Sequence, residues 1–517
     1  MKQPGEEEAM RTILYVPLDE RPCNFDFPAD LAVGTDFRLV RPEPEAMGRK
    51  KSPADVERLW AWLFERAAEA DGAIVSLDTL VYGGIVPSRL HWLSPEQCRE
   101  RLDRLRKLKQ INPKLRLYAF NLIMRCPSYS SGDEEPDYYE AWGKDIFRRG
   151  VLRHRAELGL ADEKELAELK RLDTGIPDVV WQDYIERRDV NLQVNRWAVE
   201  LVKERIVDFM IVPQDDSAPF GLTAVDQQRV REHIRSLGLQ LQVYMYPGAD
   251  EVGCTLLARM INGFMGVRPL IYPHFSSVQG PFVTPLYEDR VLYETLKCHI
   301  VACGALMASS VSEADLVLCV NSPGEQMLEA GEQALPNPNR GYTVLRNLVE
   351  LTEMAHEVVH RWKKPCLVAD VAYANGSDLE LLALLRQKGL LFRLAAYAGW
   401  NTNGNTLGTC LAQGLIYYLY GDTQGHRDFL ALRLVEDAGY CASVRQQVTQ
   451  SCLPSMGHTY LSVDGERGAV ADLVKRELQR FAREQIDDEG HRVVIDDCRM
   501  PWSRMFEVGL RVHVERR

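Results

Sequence analysis

The segment Asp208-Phe-Met-Ile-Val212 is followed at once by Pro213-Gln-Asp-Asp-Ser217, and this stretch indicates the fold. A short apolar run that ends in a polar cluster is typical of a β-strand buried on both faces. Similar segments recur up to about residue 400, with helical patterns between them. They cover residues 13–17, 73–77, 115–120, 241–246, 269–272, 315–320, 365–369 and 391–397. This alternation predicts repeated βα units and an α/β fold built on parallel strands.

We expect these units to close into a TIM-like (β/α)8 barrel, because such barrels form single domains even when their loops carry long insertions. Nine segments compete for the eight strand positions, and the proline-flanked segment 269–272 is the weakest of them. An open doubly wound sheet would give the same alternation, so it stays open as the alternative.

The predicted organisation has three parts. Residues 1–10 form a polar, acidic tail that we expect to be flexible. Residues 11–408 form the catalytic barrel, with a long helical insertion at about 126–205. Residues 409–517 form a C-terminal helical extension that contains one short strand at 507–514.

The composition is that of an ordinary globular protein, with 46% hydrophobic and 26% charged residues. The formal net charge of -12, without a stripe of Lys and Arg, argues against nucleic acid or an anionic membrane as a partner. Residues 1–10 lack the pattern of a signal peptide, and the chain has no apolar run of the roughly 20 residues that span a bilayer. The twelve cysteines occur singly, as expected for buried thiols in a reducing compartment. We therefore predict a cytoplasmic protein without a cofactor, and an oligomer of identical chains is compatible with the sequence.

Polar and aromatic side chains follow most of the predicted strands. In parallel α/β folds the site lies at the carboxyl ends of the strands, so these residues are candidates for substrate binding. They are Asp19, Arg21, Asp78, Tyr82, Arg89, Asn121, Tyr246, Asp250, Asn321, Asp370, Trp400 and Asn401. Each residue alone also fits a structural role, such as a helix cap or a core side chain.

The adjacent carboxylates Asp215 and Asp216 are the sharpest feature at a strand end. Two neighbouring ionised carboxylates repel each other unless one holds a proton or each has its own partner. At the transition from strand to loop both can face one pocket, where one stays ionised and the other acts as a general acid. The alternative is a capping aspartate beside a solvent-exposed one.

The Asp215-Asp216 pair at the end of the fourth predicted strand resembles the arrangement in substrate-assisted N-acetylhexosaminidases, including the O-GlcNAcase-type enzymes. The resemblance implies that Asp215 orients the 2-acetamido group of the substrate and that Asp216 is the acid/base. It also implies that no protein nucleophile is needed, unlike the usual two-carboxylate glycosidase. The predicted activity is hydrolysis of β-linked N-acetylglucosamine or N-acetylgalactosamine from a small carbohydrate substrate. If the resemblance holds, Trp400 or Tyr246 is expected to stack on a pyranose ring, and the polar residues at the strand ends to bind hydroxyl groups.

A second resemblance covers nearly the whole chain. The motifs Pro17-Leu-Asp-Glu-Arg-Pro22, Tyr82-Gly-Gly84 with Ser88-Arg89, Gln214-Asp-Asp216 and Gly399-Trp-Asn-Thr-Asn403 resemble a bacterial family catalogued as a domain of unknown function, number four-one-two-seven. This resemblance implies that the chain is one unit and that these motifs form its site, and it implies no particular chemistry.

Several other functions remain as alternatives to the glycosidase. A divalent-metal hydrolase or isomerase acting on a sugar-like substrate would use a carboxylate site drawn from Asp19, Asp78, Asp215, Asp216, Asp250, Asp370 and His274. The segment His356-Glu-Val-Val-His360 matches a zinc-hydrolase pattern, although it lies in a helix that we expect to pack outside the sheet. A non-catalytic sugar-binding protein is a further alternative. Phosphate-binding loops and the GxSxG motif of serine hydrolases are absent from the sequence.

Overall fold

A computed structural model describes residues 10–333 and 339–516. The predicted flexible tail therefore lies outside the described residues, except for Met10, which directly precedes the first strand.

The first half of the chain alternates strands and helices. Its strands are β1 (Arg11–Val16), β2 (Phe37–Val40), β3 (Gly72–Ser76), β4 (Arg116–Phe120), β5 (Phe209–Gln214) and β6 (Val243–Pro247). Its helices are α1 (Pro22–Phe25), α2 (Phe27–Ala32), α3 (Val56–Arg66), α4 (Leu77–Tyr82), α5 (Pro95–Ile111), α6 (Tyr139–Glu157), α7 (Glu163–Gly175), α8 (Asp178–Lys203), α9 (Leu222–Ser236) and α10 (Val252–Met265). All six strands are parallel and follow the order β2-β1-β3-β4-β5-β6. Every residue of β3 and β5 is buried, as expected for parallel strands covered on both faces.

The second half builds another parallel sheet. Its strands are β7 (Leu270–Phe275), β8 (Leu306–Met307), β9 (Leu316–Asn321), β10 (Leu328–Glu329), β11 (Cys366–Asp370), β12 (Tyr373–Ala374) and β13 (Ala396–Ala398). Its helices are α11 (Leu292–Ala302), α12 (Arg340–Thr343), α13 (Leu348–His360), α14 (Leu379–Gln387) and α15 (Asn403–Tyr420). Five strands form the sheet β13-β11-β9-β7-β8, while β10 and β12 pair separately.

The two sheets have the same strand order relative to the chain. Strand β1 lies between β2 and β3, and β7 lies between β8 and β9. Each sheet therefore extends from its first strand to one side and then, after a reversal, to the other side. This is the doubly wound arrangement, in which ligands bind beside the strand where the direction reverses. In the first sheet that point lies between β1 and β3, and in the second between β7 and β9.

The closed eight-stranded barrel expected from the sequence is not confirmed. The strands divide between sheets of six and five, and no ladder in the described residues joins β6 to β7 or closes either sheet. Closure depends on pairing between the first and last strands, and the alternation of strands and helices carries no information about that pairing. The coarser prediction, an α/β fold with parallel strands, is confirmed.

The C-terminal region combines helices with a hairpin. It contains α16 (Gln424–Arg433), the π-helical segment Leu434–Val444, α17 (Arg445–Ser451), α18 (Leu453–Met456), α19 (Ala469–Phe481) and a second π-helical segment, Ala482–Ile486. Strands β14 (His491–Arg499) and β15 (Gly509–Arg516) form an antiparallel pair. The region is thus not purely helical, since the predicted short strand has a partner that the sequence did not reveal.

Helix α15 packs between the two sheets and contacts both of them. A Cβ atom on Gly408 would lie 2.2 Å from Glu251 of the first half, and one on Gly414 would lie 2.2 Å from Leu367 of the second. Larger residues at these two positions would push the halves apart. In the described part of the chain, no helix is both long and apolar enough to cross a membrane.

Candidate active site

A cavity of about 390 Å³ lies at the carboxyl ends of the first sheet. The loops after β1, β3, β4, β5 and β6 contribute Arg21, Arg89, Arg125, Asp215 and Asp250 respectively. Arg21 and Arg89 follow neighbouring strands at the reversal point of the sheet, which is where doubly wound folds bind ligands. The second half and the C-terminal region complete the wall.

Asp215 and Asp216 directly follow β5 and line the cavity. Asp216 has a φ of 44°, in the left-handed region, so the chain turns sharply out of the strand direction. Asp215 Oδ2 accepts a hydrogen bond from Arg89 at 2.9 Å, and Asp216 Oδ2 accepts one from Arg125 at 3.2 Å. Each carboxylate therefore has its own guanidinium partner.

The proton affinity of Asp216 is unusual for an aspartate. Burial, together with the negative charge of Asp215, raises the pKa of Asp216 to about 6, against the opposing influence of Arg125. A carboxyl group that titrates near neutral pH is suited to donating and accepting a proton during catalysis.

The arginines beside this pair belong to a larger ionic network. Arg89 and Arg125 also donate to Glu134 and Glu135, which lie in the loop between β4 and α6. Arg504 of the C-terminal region donates to the second oxygen of Glu134 at 2.6 Å. Burial raises the pKa of Glu134, but Arg125, Arg504 and Arg89 outweigh that effect and hold the pKa well below its usual value. Glu134 is therefore a fixed negative charge at the centre of three cations.

A second corner of the cavity is built around Arg21. Its guanidinium group donates to Asp19 at 2.7 Å and to Asp250 at 2.6 Å. Asn24 bridges the same two carboxylates with contacts of 2.9 Å, and Asn401 reaches Asp250 at 3.3 Å. This arrangement holds Arg21 and Asp250 in the cavity wall, while Asp19 lies behind them.

Three predicted residues lie beneath the cavity and do not line it. Asp78 accepts hydrogen bonds from the Asn121 amide at 3.1 Å and from the backbone N–H of Leu122 at 3.0 Å, and burial raises its pKa to about 7. Tyr82 is buried and stacks on His91 with ring centroids 4.5 Å apart. Asp78 and Asn121 thus connect the ends of β3 and β4 within the protein interior, while Tyr82 lies at the end of α4.

The two rings expected to stack on a sugar do not face the cavity. Tyr246 is fully buried and packs edge-on against His299, and Trp400 packs edge-on against Phe27 at 5.7 Å. Neither ring lines the cavity, because both strand ends turn these side chains into the core. The aromatic side chains that line the cavity are Tyr129, Tyr287, Tyr460 and Phe506.

Asn321 and Asp370 lie at the carboxyl ends of β9 and β11 in the second sheet, away from the cavity. Asn321 donates to Asp370 at 2.9 Å and to Asp378 at 3.2 Å, and Asp378 forms a buried ion pair with Arg346. Burial, together with Asp378, raises the pKa of Asp370 to about 7. These groups satisfy one another in a closed cluster.

Of the residues considered for a metal site, Asp215, Asp216 and Asp250 line the cavity, whereas the others do not. His274 contacts Glu350 at 2.9 Å, and Asp370 belongs to the second sheet. His356 and His360 lie on α13, which packs against β9 and β11 outside the cavity. Within residues 10–333 and 339–516, no group of three or more His, Cys, Asp or Glu side chains is placed to hold a metal ion.

Several cavity residues were missed at the sequence level. Two sequence patterns could have identified some of them. Arg125 closes the cluster that follows the predicted strand 115–120, and the acidic run Asp133-Glu-Glu135 interrupts an otherwise helical insertion. No sequence pattern marks Arg504 or Tyr287 as a site residue, because both reach the cavity from distant parts of the chain. Glu288 also lines the cavity, and burial raises its pKa to about 7.

Fold and site together define an α/β protein with two doubly wound sheets and a strongly charged cavity at the strand ends of the first. The chain belongs to the family described as "Protein of unknown function (DUF4127)", which matches residues 13–511. The match covers both sheets and most of the C-terminal region, so the family is defined by the whole assembly and not by one half. No curated protein matches the chain.

Proposed function

We propose that the protein is a glycoside hydrolase that removes β-linked N-acetylhexosamine with the help of the substrate's own 2-acetamido group. The observation that carries the proposal is the Asp215-Asp216 pair, in which each carboxylate faces the same cavity with a different environment. Asp215 is held in an ion pair with Arg89, whereas the pKa of Asp216 is raised to about 6.

The two environments suit two different roles. Asp215 would accept a hydrogen bond from the acetamido N–H and so increase the negative charge on the acetamido oxygen. That oxygen would attack the anomeric carbon while Asp216 protonates the departing glycosidic oxygen. The N–H proton stays on the nitrogen, so the product of this step is an oxazolinium ring. Water would then attack the anomeric carbon, open the ring and give one of its protons to the Asp216 carboxylate. Both carboxyl groups end the cycle in their starting states, and no protein nucleophile takes part.

The size and lining of the cavity also support a saccharide. A volume of about 390 Å³ is within the range of small-molecule sites. Tyr129 and Tyr287 offer ring surfaces, while Asn375, Asn401 and Asn405 offer amide groups that both donate and accept hydrogen bonds. Sugar hydroxyl groups need partners of this kind.

The fold supports this proposal less strongly than the barrel expected from the sequence would have done. The resemblance to N-acetylhexosaminidases included the position of the pair after the fourth strand of a closed barrel, and that barrel is not confirmed. The proposal therefore rests on the carboxylate pair and its surroundings. The metal-dependent alternative has less support, because an arginine occupies the neighbourhood of each of these carboxylates.

The test is hydrolysis of aryl β-N-acetylglucosaminide and β-N-acetylgalactosaminide, with aryl β-glucoside as the substrate lacking the acetamido group. Asp215→Asn and Asp216→Asn are compared with Asp289→Asn, a matched control that is ion-paired with Arg290 outside the cavity. We expect turnover of acetamido sugars only, lost in the first two variants and retained in the third.

A trifluoroacetamido substrate and EDTA test the mechanism separately. Fluorine withdraws electrons from the carbonyl oxygen, so the trifluoroacetamido substrate should react much more slowly if that oxygen is the nucleophile. EDTA should have no effect. Equal rates for the two amides, loss of activity with EDTA, or no turnover of any glycoside would overturn the proposal.

A further inference from the structure

Three arginines converge on one carboxylate beside the catalytic pair. Glu134 Oε2 accepts hydrogen bonds from Arg89 at 3.1 Å and from Arg125 at 3.0 Å, and Oε1 accepts one from Arg504 at 2.6 Å. The side chains of Arg89 and Arg504 are only 3% exposed. A buried cradle of guanidinium groups is the arrangement with which proteins bind phosphate or carboxylate groups of ligands.

In this protein the cradle is already filled. Each of the six terminal guanidinium nitrogens of these arginines donates to a carboxylate. The partners are Asp133, Glu134, Glu135, Asp215, Asp216 and Glu507. With Lys50, which also pairs with Asp133, six carboxyl groups therefore surround four cations, and the corner around Arg21 adds two more carboxyl groups for one further cation. An anionic ligand would meet excess negative charge.

The loop that carries Glu134 is fastened in place. Its neighbour Asp133 forms ion pairs with Lys50 and Arg504. The backbone N–H of Gly132 donates to Glu140 at 2.8 Å. Displacing Glu134 would break these contacts and leave buried charges unpaired, which is unfavourable.

We propose that Glu134 is a specificity-determining residue, which fills the cradle of Arg89, Arg125 and Arg504 and thereby restricts the cavity to uncharged saccharides. The inference rests on the proposed function, since it assumes that the cavity binds a sugar. It goes further by excluding sugars that carry a phosphate or carboxylate group. Rejection arises because such a group finds no free cation and faces like charges.

Calorimetric titration of the wild type tests this selectivity directly. The probes are N-acetylglucosamine, its 6-phosphate and inorganic phosphate. We expect the neutral sugar to bind at least about tenfold more tightly than its phosphate, a ratio equivalent to ~1.4 kcal/mol, and inorganic phosphate not to bind. Equal or tighter binding of the 6-phosphate would overturn the proposal, because it would mean that Glu134 gives way to an anionic group.

The Glu134→Gln variant tests the cradle itself. This change keeps the size of the side chain and removes its charge, so the three arginines should bind inorganic phosphate and the preference for the neutral sugar should shrink. Asp137→Asn, an exposed change in the same loop, is the matched control and should leave both properties unaltered. Circular dichroism establishes that the variants are folded. A folded Glu134→Gln protein that gains no affinity for phosphate would contradict the proposal.

The phosphate titration separates this inference from the proposed function. If the wild type binds neither sugar, the glycosidase proposal fails, whereas a gain of phosphate binding in Glu134→Gln still supports the role of Glu134. If Glu134→Gln does not fold, the wild-type ratio of neutral to phosphorylated sugar decides the question.

Discussion

The two parallel sheets have the same strand order, and both end in polar residues, but the described residues at these ends differ in their surroundings: those of the first sheet line a cavity, and those of the second bond to one another. At the strand ends of the first sheet, arginines bridge several carboxylates, and the side chains of Asp215 and Asp216 remain 16% and 22% exposed. In the second, Asn321, Asp370 and Asp378 bond to one another and are completely enclosed. Polar residues at strand ends are thus not sufficient for a site, which also needs space that the protein does not fill.

The difference comes from what covers each sheet. Over the first sheet, the loop carrying Glu134 and the C-terminal segment carrying Arg504 form walls around a space. Over the second sheet, Arg346 reaches in from the segment before α13 and pairs with Asp378. Equivalent positions in two similar sheets therefore line a cavity in one case and bond to one another in the protein interior in the other.

The sharpest test of this comparison substitutes one aspartate in each sheet. Asp216→Asn removes the proposed proton donor and should lower kcat/KM by roughly 10²- to 10⁴-fold, the usual contribution of general acid catalysis. Asp370→Asn, the corresponding change at a strand end of the second sheet, should leave kcat/KM within about threefold of wild type, a shift of well under 1 kcal/mol. Steady-state kinetics on an aryl N-acetylhexosaminide measure both. A comparable loss in Asp370→Asn would show that both sheets serve the reaction.

Stability should show the opposite ranking. Asp378→Ala removes one partner of a buried ion pair in which both side chains are 3% exposed, and it also removes the cap of α14. We expect the free energy of unfolding to fall by about 3–5 kcal/mol. Urea titration measures it, with Glu353→Gln at an exposed ion pair as the control that should change little. A fall in the free energy of unfolding of less than about 1 kcal/mol would show that this buried ion pair stabilises the protein no more than an ordinary surface pair does.

The pH dependence of stability should identify the same cluster. Burial and Asp378 raise the pKa of Asp370 to about 7 in the folded protein, whereas an unfolded aspartate titrates near ~3.9. Its stabilising contribution is therefore complete below pH ~4 and is lost as the pH rises through about 7. Asp370→Asn should make the decline in unfolding free energy over this range shallower than in the wild type. Identical slopes for the two proteins would show that Asp370 does not titrate in this window.

The smallest expected effect is that of a substitution at Tyr287, through which the second half of the chain contacts the cavity. The Tyr287 hydroxyl donates to Glu329 of β10 at 2.6 Å, while the Tyr287 ring lines the cavity. Tyr287→Phe removes one partly exposed hydrogen bond, so KM should rise by about two- to tenfold with little change in kcat. Tyr293→Phe, in the same connection but outside the cavity, serves as the control. A large fall in kcat would instead place Tyr287 among the catalytic groups.

Much of this site follows local patterns that can be read along the chain. Arg21, Arg89, Asp215, Asp216, Asp250 and Asn401 were selected as polar residues after predicted strands, and all six line the cavity. The same rule selected Tyr246 and Trp400, which point into the core. A strand end specifies that a residue lies at the edge of the sheet, but the direction of its side chain depends on what packs against it.

By itself, the sequence determined the parallel α/β character of the protein and the carboxylate pair at the end of one strand, because both depend on residues adjacent in the chain. Only the tertiary structure decided that the strands form two open sheets, since pairing between strands is a long-range property. It also decided that Glu134 meets Arg504, two residues separated by 370 positions. Contacts at that separation arise from how the layers pack, and neither spacing nor composition predicts them.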